Sequence, residues 1–326
     1  MSSATVSVII PCHNAAEFLA DALESVRDQT LRNFECIIVD DASSDGSRTI
    51  AERFVDTDQR FKLLSSKERR GASASRNAAI SQATGRWLAL LDADDLYLPD
   101  RLQVLTGIGE RKGADLVFDD QLITEFPSAV SRHRAFGFTR DQFTFTQEDF
   151  FSGSRLFRRS FPIGYIKPLI RREFLDRTRA SYDPSIASGE DFLFYAHLFA
   201  ARPLCIGTSF AGYVYRRRRG SLSRSDEHLH FHADLGERVL SDFGSRLSFA
   251  SRSALATRKR NFEDVAKAMP ALAALSERDW MRLAGLLIKQ PRVARTCFRL
   301  LQTRAIRSWS AIASGRSTDR RARRVR

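Results

Sequence analysis

The sequence lacks a long apolar run and closely spaced cysteines. No stretch of about 18 apolar residues occurs, so we expect no helix that spans a bilayer. The first residues lack a basic segment ahead of their apolar run, which predicts no secretory signal. The cysteines show no Cys-x-x-Cys or Cys/His metal spacing, so we expect reduced thiols of a cytoplasmic protein. The four cysteines are Cys12, Cys36, Cys205 and Cys297.

Charge is abundant but unevenly distributed along the chain. Hydrophobic residues make up 43% and charged residues 28% of the 326 residues, which excludes a disordered or fibrous protein. The net charge is +13, yet residues 246–326 contain 20 Lys and Arg against 5 Asp and Glu. Residues 1–245 contain 32 basic and 34 acidic residues. The sequence therefore predicts a nearly neutral globular body followed by a basic extension.

Short apolar runs alternate with amphipathic segments near the N-terminus. Helical spacing lies between the runs, and Asn14 is the expected N-cap of the first helix. This alternation is typical of an α/β fold with a mostly parallel sheet covered on both faces. Residues 119–160 predict loops and a short helix, strand and helix signals return over 161–219, and the chain beyond residue 245 is helical. The five predicted strands are 6–10, 34–39, 61–64, 86–91 and 115–118.

Polar residues follow three predicted strands, at 11–14, 40–47 and 92–95, where ligands bind in parallel α/β sheets. In the last of these segments Asp92, Asp94 and Asp95 stand close together. Such carboxylates repel one another unless a cation is present. Their oxygens suit Mg²⁺ or Mn²⁺ that also holds a diphosphate. The alternative is an acidic turn that caps the next helix.

Asp40 and Asp41 end the second predicted strand, where dinucleotide-binding folds use a carboxylate to hold a ribose or base. The residues after them also fit a turn before a helix, and both interpretations can hold. Arg76 lies in a helix of small residues that begins after Gly71. Such a helix can start close to a ligand, and Arg76 could then reach a phosphate or a base. The alternative is close packing alone.

Glu190 and Asp191 precede an apolar helical stripe in the segment Ser188 to Leu198. One of the two carboxylates could act as a general base in a cleft. Acidic residues are also common in a first helical turn because they interact favourably with the helix dipole. The local pattern therefore leaves a catalytic and a structural role open.

Five segments, in this order and spacing, resemble the family 2 glycosyltransferases, and most of all those of bacterial succinoglycan-type exopolysaccharide synthesis. The resemblance covers residues 5–105 and 161–219. It implies a GT-A fold with a Rossmann-like sheet and inverting transfer of a sugar from a nucleotide diphosphate. We expect residues 1–118 to bind the nucleotide sugar, 119–245 to form the acceptor side and 246–326 to form a basic helical extension. The five segments are SVIIPCHNAAEFLADALESVRDQT, VDDASSDGS, RRGASASRNAAI, LDADD and GED.

The resemblance implies roles for five residues on the nucleotide side. Pro11 and His13 would line the nucleotide pocket, although the family often has Tyr where His13 stands. Asp40 would bind the uracil edge, with Asp41 beside it. Arg76 would support the base or the diphosphate. The expected donor is therefore a UDP-sugar, with UDP-glucose as the first candidate.

Five further residues would carry the transfer. Asp92 would hold the ribose or the sugar, Asp94 would bind Mg²⁺ or Mn²⁺, and Asp95 would be a second candidate ligand. Asp191 would take the proton from an acceptor hydroxyl, with Glu190 beside it. The hydroxyl oxygen would attack the anomeric carbon from the face opposite the leaving nucleotide. The implied acceptor is a lipid-linked or growing saccharide.

The basic extension contains an amphipathic segment, Pro291 to Ser314, with arginines largely off the apolar stripe. Such a helix suits an anionic membrane surface and would place the protein peripherally at the cytoplasmic face of the cell membrane. The alternative is a stripe packed on the body. For the run Arg216 to Arg219, a flap over the diphosphate and a solvated loop are both open. The stripe consists of Val293, Cys297, Leu301, Ala305, Trp309 and Ile312.

Two competing functions fit parts of the sequence. A sugar nucleotidyltransferase would carry a glycine-rich, lysine-containing phosphate loop near its N-terminus, and PCHNAAEF is not one. A nucleic-acid-binding protein would use the basic tail. Basicity alone does not discriminate between a nucleic acid and a membrane as partner. A third alternative is a degenerate, non-catalytic member of the family, and the intact LDADD and GED segments argue against it. We expect no nucleic-acid partner.

Overall fold

The computed structural model describes residues 4–126, 133–154, 163–186, 188–217, 227–289 and 292–300. These residues form one mixed sheet with helices around it. The strands are β1 (Val6–Cys12), β2 (Phe34–Asp41), β3 (Phe61–Ser66), β4 (Trp87–Leu90), β5 (Leu96–Tyr97), β6 (Leu116–Glu125), β7 (His133–Arg134), β8 (Gln142–Thr144), β9 (Leu169–Arg171) and β10 (Cys205–Arg217). The helices are α1 (Ala16–Arg27), α2 (Ser47–Thr57), α3 (Ala72–Gln82), α4 (Arg101–Lys112), α5 (Gln147–Gly153), α6 (Arg172–Thr178), α7 (Glu190–Ala200), α8 (Glu227–Phe243), α9 (Phe249–Glu277) and α10 (Trp280–Lys289).

The sheet has the strand order β3-β2-β1-β4-β9-β6-β10-β5, with β7 beside β6 and β8 beside β10. Strands β1 to β4 are parallel to one another, and β6 is parallel to β10. Strands β5, β7, β8 and β9 are antiparallel to their neighbours. Apolar side chains cover both faces, with α1, α2 and α4 on one face and α3, α5 and α7 on the other. The predicted sheet, mostly parallel and covered on both faces, is confirmed.

Strand β6 continues beyond Phe118, so the prediction of loop and short helix is wrong for the residues that follow. Asp119 lies in β6 and accepts hydrogen bonds from Arg101 at 2.8 and 3.1 Å and from the Gly212 amide at 2.9 Å. Asp120, also in β6, accepts hydrogen bonds from three backbone amides at 136–138. Two adjacent carboxylates argue locally against a strand, but distant partners satisfy both of them here.

Asn14 does not cap α1, contrary to the prediction. The N-cap residue is Ala15, which makes no capping hydrogen bond through its side chain. The amides of Ala15 and Ala16 donate instead to Ser47 Oγ at 2.8 Å and Asp45 Oδ2 at 3.0 Å. The loop after β2 therefore satisfies the first amides of α1 and fixes the polar segments after β1 and β2 against each other.

Helices α8 and α9 pack against each other, and they contact the sheet domain through α7 and α5. Helix α10 and the helical segment 292–300 close a small apolar core on α9, which includes Val293 and Cys297. The predicted stripe thus packs inward at these two positions, while its members from Leu301 to Ile312 lie outside the described residues. In the described ranges, no helix has the length and hydropathy needed to cross a bilayer.

Candidate active site

A cluster of buried charges lies at the carboxyl end of β4. Arg76 on α3 donates to Asp92 Oδ1 and to Glu190 Oε1, both at 2.9 Å. Lys167 Nζ lies 2.8 Å from Asp92 Oδ2 and 2.8 Å from Asp191 Oδ2. Three carboxylates thus share two cations, and the Arg76 and Lys167 side chains are only 5% and 6% exposed. The small residues of α3 let it pack closely against β1 and β2, which brings Arg76 into this position.

The two cations determine the charge state of Asp92. Burial alone would raise the pKa of Asp92, but the Lys167 ammonium and the Arg76 guanidinium outweigh burial and hold it well below its usual range. Burial alone would lower the pKa of Lys167. The carboxylates of Asp191 and Asp92 outweigh burial and raise this pKa above its ordinary value. Asp92 and Lys167 are therefore both held in their charged forms. The cluster contains three carboxylates and two cations.

Asp191 is held from both sides at the start of α7. Its Oδ2 faces Lys167, and its Oδ1 accepts a hydrogen bond from the Tyr182 hydroxyl at 3.1 Å. Tyr182 is fixed in turn, because its backbone amide and carbonyl bond the side chain of Asn77 at 2.9 and 2.7 Å. Gly189, the first residue of the GED segment, has a φ of +77°, a left-handed conformation that favours glycine. This turn begins α7 with both acidic side chains at the cluster.

The remaining carboxylates of the LDADD segment differ in their surroundings. Asp94 is half-buried, and its backbone carbonyl accepts from Arg216 Nε at 2.5 Å. Asp95 is 1% exposed and accepts from the Tyr213 hydroxyl at 2.6 Å and the Arg216 amide at 2.9 Å. Burial, and next the charges of Asp94 and Asp92, raise the pKa of Asp95 well above its usual value. Both carboxylate oxygens of Asp95 already accept a hydrogen bond, and its burial leaves it less suited than Asp94 to bind a metal.

The carboxylate of Asp94 fits Mg²⁺ or Mn²⁺ in chemistry, although a protein-only cage is not present. In the described part of the chain, no three His, Cys, Asp or Glu side chains converge in a group that could hold a metal. Mg²⁺ is commonly bound by one or two carboxylates, with substrate phosphates and water as the other ligands. The residues therefore fit a metal that is completed by a diphosphate.

The residues predicted for the nucleotide lie at the ends of β1 and β2. His13 Nδ1 and the Asp41 carbonyl oxygen are 2.7 Å apart, and the Asp41 carboxylate accepts from the amides of Arg70 and Gly71, each at 2.7 Å. Asp41 therefore holds the segment that leads into α3. Asp40 is 2% exposed and accepts from the Ser43 amide at 3.3 Å. Pro11, in β1, pairs with Val39 across the strands.

Arg216 is part of β10 and is only 6% exposed, so neither a flap nor a solvated loop describes it. Its guanidinium donates to Asp21 Oδ2 at 2.8 Å and to the Phe18 carbonyl at 3.2 Å. Arg217 ends the strand beside Glu125. The other two arginines of the run, Arg218 and Arg219, lie outside the described residues.

Sequence reasoning missed Lys167 and Tyr182. A signal for Lys167 was available, because a lysine within the apolar run Ile166 to Ile170 must find a carboxylate if it is buried. Tyr182 gave no such signal, because its hydroxyl contact with Asp191 depends on the turn before α7.

Comparison with known proteins agrees with this geometry. The model of the family described as glycosyl transferase family 2 matches residues 7–165. The succinoglycan biosynthesis protein ExoO of Rhizobium meliloti is 31% identical over 67% of this chain, and the matched part spans 62% of ExoO. ExoU of the same organism is 30% identical over 88% of this chain and 83% of its own length. The Escherichia coli UDP-Glc:alpha-D-GlcNAc-diphosphoundecaprenol beta-1,3-glucosyltransferase WfgD is 38% identical over 40% of this chain and 51% of its own length.

Two solved structures share the fold at 18% sequence identity. The crystal structure of S. aureus TarS 1-349 in complex with UDP has a TM-score of 0.63 and covers 99% of this chain and 93% of its own. The mannosyltransferase PcManGT from Pyrobaculum calidifontis in complex with GDP-Man and Mn²⁺ has a TM-score of 0.58, with coverages of 95% and 88%. The expected GT-A fold is confirmed. With the match to ExoU over most of both proteins, these findings show that the chain belongs to glycosyltransferase family 2.

Proposed function

We propose that this protein is an inverting glycosyltransferase that moves a hexose, with glucose as the first candidate, from a UDP-sugar to a lipid-linked or growing saccharide. The reaction would serve bacterial exopolysaccharide or cell-surface polysaccharide synthesis. One observation carries the proposal: Asp92, which follows β4, and Asp191, on α7, converge on the same two buried cations. The names of ExoO, ExoU and WfgD support the pathway class, the donor and the acceptor.

In this mechanism Asp191 is the general base. Lys167 and Tyr182 hold its two oxygens in a fixed orientation, so the carboxylate can accept the proton of an acceptor hydroxyl as that oxygen attacks the anomeric carbon. Holding the two reactants in line supplies a large share of the rate enhancement. Glu190 is tied to Arg76, which suits it to orient the guanidinium rather than to take the proton.

The donor would lie across the ends of β1, β2 and β4. Asp40 and His13 would contact the base, Asp92 would accept hydrogen bonds from ribose or sugar hydroxyls, and Arg76 would face the nucleotide. Asp94 would hold Mg²⁺ or Mn²⁺, which neutralises charge on the departing diphosphate when bound. The UDP of the TarS complex and the Mn²⁺ of the PcManGT complex support this choice of donor and metal.

Titration calorimetry with UDP, with and without Mn²⁺, tests the donor site. We expect binding that needs the metal and that Asp94→Ala abolishes. Asp176→Ala, which removes an exposed carboxylate on α6, should leave binding unchanged. Absence of UDP binding under every metal condition would contradict the UDP assignment, and GDP and dTDP would then be titrated.

Donor hydrolysis, with water as the acceptor, tests the base before the natural acceptor is known. Asp191→Asn should lower the release of UDP from UDP-glucose by at least about 100-fold, in line with the contribution of a general base. UDP binding should persist in this variant. Unchanged turnover in Asp191→Asn would show that another group takes the proton.

We propose further that the C-terminal helices hold the protein at the inner face of the membrane. Met281 and Ile288, two turns apart on α10, are 88% and 79% exposed, and Trp280 is 63% exposed. Phe298 is 61% exposed. Exposed aromatic and aliphatic residues in a strongly basic segment suit an anionic lipid surface.

Vesicle flotation tests this attachment. Trp280→Ser with Met281→Ser should reduce binding to vesicles of anionic lipid, and neutral vesicles should bind the wild type weakly. Phe249→Ser is the matched control, because Phe249 is 81% exposed but lies at the other end of α9. An equal loss in both variants, or salt-dependent binding to DNA that survives removal of residues 1–245, would contradict the membrane assignment.

A further inference from the structure

Lys167 is the one described side chain that contacts both Asp92 and Asp191 within 3 Å. Its position is fixed from behind, because its backbone carbonyl accepts a hydrogen bond from Arg101 Nη2 at 2.5 Å. Arg101 is itself fully buried and paired with Asp119. The backbone of Lys167 is therefore held in place, and its ammonium lies between the carboxylate of Asp92, after β4, and that of Asp191, at the start of α7.

Arg76 does not duplicate this arrangement. It bonds Asp92 and Glu190 at 2.9 Å but lies 3.6 Å from Asp191 Oδ1, outside hydrogen-bond distance. If Lys167 lost its charge, Arg76 would be the only cation left among the three carboxylates in the described part of the chain. Of the described groups, the Asp191 carboxylate would then keep only the Tyr182 hydroxyl within hydrogen-bond distance, and the Asp92 carboxylate only Arg76.

We propose that Lys167 is a positioning residue that serves both halves of the reaction, holding Asp92 ready for the donor and Asp191 ready to accept a proton. The inference rests on the proposed function. One ammonium joins the two carboxylates, so a change at Lys167 must act on donor binding and on the base together. A residue that positions only Asp92 or only Asp191 would affect only donor binding or only the base.

Two readouts separate the halves. The affinity for UDP, measured by calorimetry at one pH, reports the donor side. The acid limb of the pH profile of kcat for donor hydrolysis reports the base, because Asp191 must be deprotonated. Asp191 is faced by Lys167 and Tyr165 from the 163–169 segment, by Tyr182 from the turn before α7 and by Arg76 from α3. Tyr195 and Glu190 of α7 also face it, and Asp92 shares its Lys167 partner.

Lys167→Met should move both readouts. Loss of the ammonium next to Asp191 should shift the acid limb upward by about one to three pH units. The extra uncompensated charge should weaken UDP binding by roughly fivefold or more. Lys167→Arg, which keeps the charge, should leave the acid limb near its wild-type position even if kcat falls.

Tyr182→Phe is the matched comparison, because it removes a hydrogen bond to Asp191 and no contact with Asp92. Tyr182→Phe should shift the acid limb to higher pH, because the Asp191 carboxylate loses a hydrogen bond, and it should leave UDP affinity within about twofold of wild type. Lys62→Met removes a lysine that is half-exposed and paired with Glu35, and it should change neither readout. Thermal unfolding of each variant checks the fold, and Lys167→Gln replaces Lys167→Met if that variant does not fold.

The outcomes are distinct. A Lys167→Met profile with the acid limb at its wild-type position, or with UDP affinity unchanged, overturns the shared role. A wild-type protein that binds no nucleotide overturns the proposed function instead, because the comparison between variants then has no reference. Movement of both readouts in Lys167→Met, with movement of only the acid limb in Tyr182→Phe, supports the inference.

Discussion

Gly189 joins the acidic motif of the candidate site to the C-terminal helices, and its replacement by alanine tests that connection. Gly189 has a φ of +77°, and a Cβ atom there would lie 2.5 Å from Leu235 Cδ1 and 2.7 Å from His232 Cε1. Neither neighbour can move easily. Leu235 is 2% exposed, and the His232 ring stacks on Phe262 with 5.0 Å between ring centroids.

Two costs contribute to the expected destabilisation. The left-handed backbone costs an alanine about 1 kcal/mol. Overpacking against Leu235 and His232 adds about 1–3 kcal/mol. Gly189→Ala should therefore lower the free energy of unfolding by about 2–4 kcal/mol. Glu190 and Asp191 follow Gly189 directly. A backbone shift that relieves the overpacking at residue 189 should therefore displace both acidic side chains and lower the rate of donor hydrolysis.

Gly113→Ala provides the matched control. Gly113 ends α4 with a φ of +61°, and a Cβ atom there would meet nothing within 4 Å. Its replacement should cost only the backbone contribution of about 1 kcal/mol. Urea unfolding followed by circular dichroism compares the two variants. Equal losses of unfolding free energy would refute the packing of α8 against the turn before Asp191.

Three buried charges give further predictions for urea unfolding. Burial alone would raise the pKa of Glu35, but hydrogen bonds from neighbours including Lys62 lower it from 4.5 to about 2. The Glu35 carboxylate therefore stabilises the fold above about pH 4.5, and about 3 kcal/mol of this stabilisation is lost as the pH falls towards 2. In Glu35→Gln the pH dependence of the unfolding free energy should lack this loss. An unchanged pH dependence would contradict the role given to Glu35. Arg101→Met should destabilise by about 3–5 kcal/mol because it strands the buried Asp119 carboxylate, and a loss below 1 kcal/mol would argue against it. Arg258 is 2% exposed and pairs with no carboxylate in the described ranges, but it donates to the His232 carbonyl at 2.5 Å and lies 3.8 Å from the centre of the Phe192 ring. Arg258→Met should therefore destabilise by about 1–3 kcal/mol, and unchanged stability would contradict the weight given to these contacts.

The strands and helices of the first hundred residues could be predicted because their signals are local. Strands β1 to β4 are short apolar runs that end at polar residues, and their observed bounds lie within two residues of the predicted ones. The sequence does not predict the two-residue strand β5, because it depends on its pairing with β10. Where an element depends on distant partners, prediction fails. The carboxylates of Asp119 and Asp120 argue for a loop until Arg101 and the amides of the chain near residue 136 are in place. The first turn of α1 is likewise satisfied from the loop after β2.

In the candidate site, too, features with local signals could be predicted and features that depend on distant residues could not. Acidic motifs can be read from the sequence because their members stand side by side. The cations that neutralise them cannot, because Arg76 and Glu190 are 114 positions apart and Lys167 lies 24 positions before Asp191. Spacing identifies Arg76 only through its family motif. Lys167 stands out in the sequence only as a lysine within an apolar run, and the fold decides which carboxylates it contacts.

The LDADD segment shows why residue type and spacing do not determine a role. Its three carboxylates stand within four positions, yet Asp92 pairs with two cations and Asp95 is turned inward to Tyr213 and Arg216. Asp95 instead fixes the end of β10, because its carboxylate accepts a hydrogen bond from the Arg216 amide. In the proposed site, Asp94 would bind the metal and Asp92 would carry the hydroxyl contacts, whereas Asp95 holds the end of β10.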